Sequence, residues 1–183
     1  HYWDCSSPNL YDLTLSLSNG DQADCYFGMR KIETRHGQVF LNNRPLYQRL
    51  ILDQGYWKDS LMTPPSSEAL KLDIKRTKEM GFNGARKHQK LEDPRYYYWA
   101  DVLGLLVWCE MPSAYQFNDA EIASILSEWQ EILREAYNHP SIITWVPFNE
   151  SWGIRNVLSD NSQQNFAAAV YALTKAYDPT RLV

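Results

Sequence analysis

SIITWVPFNESWG, residues 141–153, runs a buried-strand pattern straight into a carboxylate flanked by an amide and aromatics. Ile142, Ile143, Trp145, Val146 and Phe148 form a nearly unbroken apolar, β-branched and aromatic run. A strand buried on both faces of a parallel sheet reads this way, because helices cover the sheet. Asn149 and Glu150 follow at the C-terminal end of the run. Ligands and chemistry collect at that end in α/β folds, since the strands fix the roots of loops that are free to vary. Glu150 is therefore the leading catalytic candidate.

Working back from this stretch, residues 120–138 carry apolar side chains at spacings of three and four (Ile122, Ile125, Leu126, Trp129, Ile132, Leu133, Ala136), which predicts a helix broken by His139-Pro140. Before it, LLVWC at 105–109 is a second buried run, and Glu110 stands just beyond it as Glu150 does beyond its own. Asp93-Pro94 caps a helix that Gly104 ends. FNGARKH at 82–88 is a short strand delivering Arg86 and His88, which alternate and so share a face. Ser66 or Ser67 caps a helix with Leu70, Ile74, Thr77 and Met80 on one stripe, stopped by Gly81. LYQRLIL at 46–52 is the first strand of this series and ends at Asp53. Downstream, residues 163–177 read as a last helix, and Arg181-Leu182-Val183 as the stub of a fifth strand.

Strand and helix thus repeat four times from residue 46, the grammar of parallel strands joined by right-handed crossovers. A doubly wound sheet and a (β/α)₈ barrel both fit. No glycine-rich phosphate loop follows the first strand, which weakens the nucleotide-binding version and with it an α/β oxidoreductase. Up to residue 45 the pattern is all β. Leu13, Leu15 and Leu17 alternate with polar residues before Asn19-Gly20, residues 24–33 read as the return strand, and HGQVFLNNRP at 36–45 as a hairpin turning at Asn42-Asn43.

The chain is 183 residues long with 44% hydrophobic residues, enough for one sizeable core. Seven Trp and twelve Tyr exceed what a core needs and can supply stacking platforms for sugars or bases, with packing alone as the other reading. A net charge of −4 without a basic stripe argues against nucleic acid as a partner. Cys5, Cys25 and Cys109 show no CxxC or zinc spacing, although Cys5 and Cys25 fall on two neighbouring candidate strands and could face each other. Neither a membrane span nor a signal peptide is read, and the compartment stays open, with the cytoplasm slightly favoured.

Five motifs in order resemble glycoside hydrolase family 2, the β-galactosidase, β-glucuronidase and β-mannosidase group. SSPNLYDLTLSL and YFGMRKIE resemble the family's proline-x-leucine-tyrosine strand and its phenylalanine-glycine-x-arginine exit from an immunoglobulin-like domain. FLNNRPLYQRLILDQ resembles the entry to the first barrel strand. FNGARKH with DPRYYYWADVLGLLVWCEMP resembles the second strand, its helix and the third strand, and NHPSIITWVPFNESWG the acid/base segment at the fourth. The fold class so implied is α/β: residues 1–35 are the terminal strands of an immunoglobulin-like β-sandwich and residues 36–183 the first half of a (β/α)₈ TIM barrel.

The resemblance implies a fragment of a retaining exo-β-glycosidase acting on β-linked glycosides, with Glu150 as general acid/base. Asn149 then contacts the sugar 2-hydroxyl, and Arg86, His88, Glu110, Asp53 and Trp152 line the substrate site. Trp145, Trp152 and Tyr115 are candidate walls. A retaining enzyme sets two carboxyl groups about 5–5.5 Å apart, one protonated and one ionised, and a partly dry, Trp-rich pocket would hold Glu150 protonated. The second carboxylate, the nucleophile, belongs to the seventh barrel strand, beyond this chain. No metal and no cofactor are expected, since CEMPSAYQF lacks the histidine of the magnesium motif found in some β-galactosidases. Gln89-Lys90 stand where many members have tyrosine-proline. A non-catalytic carbohydrate-binding or assembly module is the alternative reading. Exposed edges of a half barrel make self-association an expectation.

Overall fold

The computed structural model describes residues 1–183. Four parallel strands carry the fold: β6 (Leu50–Asp53), β7 (Gly84–Lys87), β8 (Leu106–Glu110) and β9 (Ile142–Val146), hydrogen-bonded in that order. Helices α1 (Ser67–Glu79), α2 (Pro94–Leu103), α3 (Asp119–Ala136) and α4 (Asn161–Tyr177) follow them one by one. Leu182 adds a parallel bridge to Thr144, so the expected fifth strand begins where its stub was read.

The caps account for the helix starts. Ser66 Oγ accepts from the Ala69 N–H at 3.0 Å, Asp93 Oδ1 from the Arg95 N–H at 2.9 Å, and Asn118 Oδ1 from the Glu121 N–H at 3.0 Å. The first and last strands are shorter at one end than the sequence pattern suggested. Residues 46–49 lie outside β6, and Pro147 and Phe148 lie beyond β9.

One core lies between the sheet and its helices. Ala85, Val107, Cys109, Ile142 and Trp145 from the strands meet Leu70 and Ile74 of α1, Tyr97 of α2, Trp129 and Leu133 of α3, and Val170 of α4. Each fully buried aliphatic side chain here contributes about 1.5–3 kcal/mol. Cys109 is part of this packing, and burial pushes its thiol up to about 12.

A bulge decides which face Trp145 takes. Val107 pairs with Ile142 but Trp108 with Thr144, leaving Ile143 as an extra residue in β9. Strict alternation would put positions 142 and 145 on opposite faces. Both instead join the core on the helix side, where Trp145 meets Trp129 edge-on at 6.0 Å and donates Nε1–H to Asp178 at 2.9 Å. Burial alone would raise the Asp178 carboxyl, but Arg181, the Thr180 hydroxyl and this indole outweigh it and hold it well below the usual carboxylate range.

Before the parallel sheet come a hairpin of β1 (Tyr11–Ser16) and β2 (Gln22–Phe27) and a meander of β3 (Ile32–Arg35), β4 (Gln38–Leu41) and β5 (Arg44–Pro45). The single return strand expected over 24–33 is therefore two strands, parted at residues 28–31. A division of the chain after residue 35 falls in the turn between β3 and β4, which pair with each other. Ile32 and Leu41 of the meander pack with Trp3 on Leu106 and Ile143, the other face of the parallel sheet. Arg30 donates to the Pro140 and Ile142 carbonyls at 3.0 and 2.6 Å, and burial beside Arg181 lowers its guanidinium to about 9. Cys5 and Cys25 do not meet. Cys25 is exposed and its thiol points to the Leu13 carbonyl, whereas that of Cys5 points to Asn83.

Gly84 sets the spacing of β6, β7 and β8. A Cβ there would stand 2.4 Å from Leu50 Cδ2 and 2.7 Å from the Leu106 carbonyl oxygen. Gly84→Ala is expected to destabilise the fold by about 1–3 kcal/mol through overpacking, read as a lower urea midpoint. An unchanged midpoint would show that the strands give way freely.

Candidate active site

The C-terminal ends of β7, β8 and β9 converge on one buried carboxylate. Glu110, last in β8, is fully buried. Arg86 donates Nε–H to Glu110 Oε2 at 2.6 Å and Nη2–H to Asn149 Oδ1 at 2.5 Å. The Gln89 backbone N–H donates to Glu110 Oε1 at 2.9 Å, and His88 Nδ1 stands 3.0 Å from the same oxygen, off the line of a good hydrogen bond. Both oxygens of Glu110 are therefore engaged. Charge-assisted bonds of this kind are about twice as strong as neutral ones, and with Glu110 wholly dry they fix Arg86 and Asn149 relative to each other.

Four of the residues expected in the site thus meet: Arg86, His88, Glu110 and Asn149. Alternation puts Arg86 on the face of β7 opposite Ala85 and Lys87, which is the face Glu110 takes on β8. Asn149 is buried with its oxygen taken by Arg86, which leaves its amide NH₂ to donate elsewhere.

Glu150 follows in a tight turn. Glu150 and Ser151 have φ of 49° and 62°, and the Trp152 N–H closes on the Asn149 carbonyl at 2.9 Å. Left-handed conformations at two successive non-glycine residues cost of order 1–3 kcal/mol each and cluster at functional sites. The Glu150 side chain is exposed, so the partly dry pocket expected around it is not formed by these residues. Trp152 stands at the rim, edge-on to Tyr115 at 5.8 Å with the Arg155 guanidinium 4.1 Å from its ring centre. Trp145 is no wall of this site, since the bulge turns it into the helix-side core.

Asp53 also departs from expectation. It lies beside Lys87 in register, and the Lys87 ammonium pairs with Asp53 Oδ2 at 2.6 Å and Glu92 Oε2 at 2.7 Å. Lys87 is almost fully buried on the face away from Arg86, with its ammonium 4.5 Å from the Tyr96 ring centre. Asp53 is thus spent on a buried ion-pair cluster. Its sequence position at a strand end could not reveal this, because the side chain's direction depends on the pairing partner.

Beside His88 opens a groove of about 360 Å³ lined by Gln54, Tyr56, Met62, His88, Gln89, Pro112, Ser113 and Tyr115. The strand-end rule missed most of these residues, which sit on loops without periodicity. Their only signal was the run of aromatic and turn residues after each strand. Gln89 links two of those loops, with Oε1 accepting from the Ser113 N–H at 3.3 Å.

Known proteins resemble this chain in sequence and fold. The chain is 32% identical over 195 residues to a beta-galactosidase of Vibrio vulnificus, covering 99% of this chain and 18% of the relative. It is 30% identical to a putative beta-glucuronidase of Formosa agariphila, covering 98% of this chain and 23% of the relative. The structure superposes on that of Bacteroides uniformis beta-glucuronidase 3 with a TM-score of 0.86 and 26% identity, over 99% of this chain and 24% of the other. The chain therefore spans about a fifth of the curated relatives it matches. Residues 32–183 match the model of the glycosyl hydrolases family 2 TIM barrel domain. With that match embracing all four parallel strands and the Glu110 network, the chain belongs to glycosyl hydrolase family 2.

Proposed function

We propose that these residues are the acid/base half of the catalytic barrel of a retaining exo-β-glycosidase that removes terminal β-linked sugars. The observation that carries the reading is the Arg86 fork, which ties Asn149, the neighbour of Glu150, to the buried Glu110 at 2.5 and 2.6 Å. It holds the end of β9 rigid while Glu150 projects free of any hydrogen bond, as a residue that must reach a leaving oxygen requires.

In this mechanism Glu150 protonates the glycosidic oxygen as the bond to the anomeric carbon breaks, then takes a proton from water in the second step. Asn149 donates its free NH₂ hydrogens to the sugar hydroxyl beside the reacting carbon, and His88 and Trp152 bound the sugar. The nucleophile forms and later releases the glycosyl-enzyme bond. Glu110 is unsuited to that role because both its oxygens are engaged, and the family resemblance assigns it to a second Glu at the seventh barrel strand of the whole protein. The rest of a Glu150 pocket comes with it.

Residues 1–31 we assign to the end of an immunoglobulin-like domain. Leu13 and Leu15 on one face of β1, with Leu17 just beyond it, remain exposed, the stripe a sandwich strand buries against a second sheet. By itself the 183-residue chain is expected to self-associate through the open edges of β6 and Leu182. Light scattering that reads a monomer at high concentration would refute this. The activity is tested in the whole protein with Glu150→Gln and an aryl β-glycoside, where unchanged turnover removes Glu150 from the mechanism.

A further inference from the structure

Behind the groove, one ammonium holds a loop closed. The connection from β6 to α1, residues 54–66, has no regular element and supplies Gln54, Tyr56 and Met62 to the groove wall. Its tip is held by a Trp57–Leu61 bridge, with the Trp57 N–H donating to the Leu61 carbonyl at 2.6 Å and the Leu61 N–H to the Trp57 carbonyl at 3.0 Å, and Gly55 and Met62 lie outside that bridge. Trp57 packs the middle of the loop on the core, but its neck is closed by a side chain from elsewhere. Lys90 Nζ donates to the Met62 carbonyl at 2.6 Å and lies within reach of the Gly55 carbonyl at 3.2 Å, the two flanks of the loop. Its charge is balanced by Glu92 Oε1 at 2.9 Å. Glu92 is shared with Lys87, which pairs in turn with Asp53 at the root of the same loop. Gly55 is packed under this cluster at φ 67°, where a Cβ would meet Glu92 Oε2 at 2.6 Å and Lys90 Nζ at 2.7 Å.

We propose that Lys90 is a positioning residue for substrate, latching the neck of the 54–66 loop so that Tyr56 and Met62 stand against Gln89 and His88 across the groove. A buried cation balanced by Glu92 and two carbonyls is costly to assemble if packing alone is needed, and an apolar plug would close the same space. The ammonium does what a plug cannot, by binding both flanks of the loop through donors that radiate from one atom. Gln89, the preceding residue, meanwhile holds the β8 loop through Ser113, so two adjacent residues set the three loops around the groove.

The kinetic part of this inference rests on the glycosidase reading, and the loop part does not. In the whole protein Lys90→Met is expected to lower kcat/KM on an aryl β-glycoside by about 10²-fold, the scale of a misplaced binding group, mostly through KM. Amide exchange should quicken across residues 54–63 while β8 and α3 keep wild-type rates. Lys90→Gln, whose amide can still donate to a carbonyl, should recover much of both effects. Gly55→Ala, which pushes on the same contact, should reproduce the Lys90→Met pattern and serves if that variant does not fold. Wild-type kcat/KM in Lys90→Met, unchanged exchange at 54–63, or exchange quickened evenly along the chain would each overturn the latch. Failure of both Lys90→Met and Gly55→Ala to fold would overturn it too, by making the cluster a general stability element. A wild-type protein that cleaves no aryl β-glycoside sinks the glycosidase reading alone, and the exchange pattern still decides the latch.

Discussion

Glu150→Gln in the whole protein lowers kcat on a β-glycoside with a poor leaving group by about 10²–10⁴-fold, the usual contribution of a positioned general acid. The loss shrinks as the leaving group becomes more acidic, because a good leaving group departs without a proton. The second step, in which water needs a base, then becomes limiting. Added azide should restore turnover of an activated substrate and give a glycosyl azide of retained configuration, since an anion attacks without help from a base. The glutamine is nearly isosteric, so the melting temperature of the whole protein should stay close to wild type. Equal losses for good and poor leaving groups, with no azide product, would assign Glu150 to binding or structure.

The second large effect is expected at Arg86. Arg86→Met leaves Glu110 fully buried with only the Gln89 N–H and the poorly aligned His88 against its charge. Breaking a buried pair by removing one partner costs about 3–5 kcal/mol. For a chain of this size each kcal/mol lowers Tm by about 2–4 °C. Glu110→Gln should cost less, because the Arg86 side chain is 29% exposed and can turn its charge to water. Both variants should lose activity, since Asn149 is released when the fork loosens. The double variant should be less damaged than the two single effects predict, as groups in one network do not add. Thermal melting of the four proteins checks this, and strict additivity would show that the two groups act independently.

Much of the architecture was legible from local chemistry. The helix over 67–79 follows from Ser66, the Leu70, Ile74 and Thr77 stripe and Gly81, and the structure differs from that reading by about a residue at each end. The Asn42-Asn43 turn was legible because both residues tolerate the left-handed region, where they are found at φ 52° and 65°. The first β segment was misjudged because residues 22–27 and 32–35 belong to different sheets. Only the pairing partner marks the break at Gly28, where Pro140 from the far end of the chain packs within 3 Å of any added Cβ.

That Arg86, His88, Glu110 and Asn149 meet could be expected from sequence because each stands at or just past a strand end, which a buried apolar run marks without knowledge of its neighbours. Asp53 satisfied the same rule and was still misplaced. Its partner Lys87 lies 34 residues away, and nothing local says that a buried lysine will claim it. Trp145 was offered as a wall from its place in an apolar run, which does not say which face a side chain takes; the Ile143 bulge, fixed by pairing with β8, decides that.

The sequence by itself determined the order of strands and helices, their caps, and the presence of Glu150 beyond a buried strand, because periodicity, capping and turn preference act within a few residues of each other. The tertiary structure alone decided which face each strand-end side chain took, that both oxygens of Glu110 are engaged, and that Lys90 closes a loop whose flanks lie 28 and 35 residues before it. Those outcomes depend on strand register and on the desolvation of charges by distant segments, and neither is encoded at the positions that it governs.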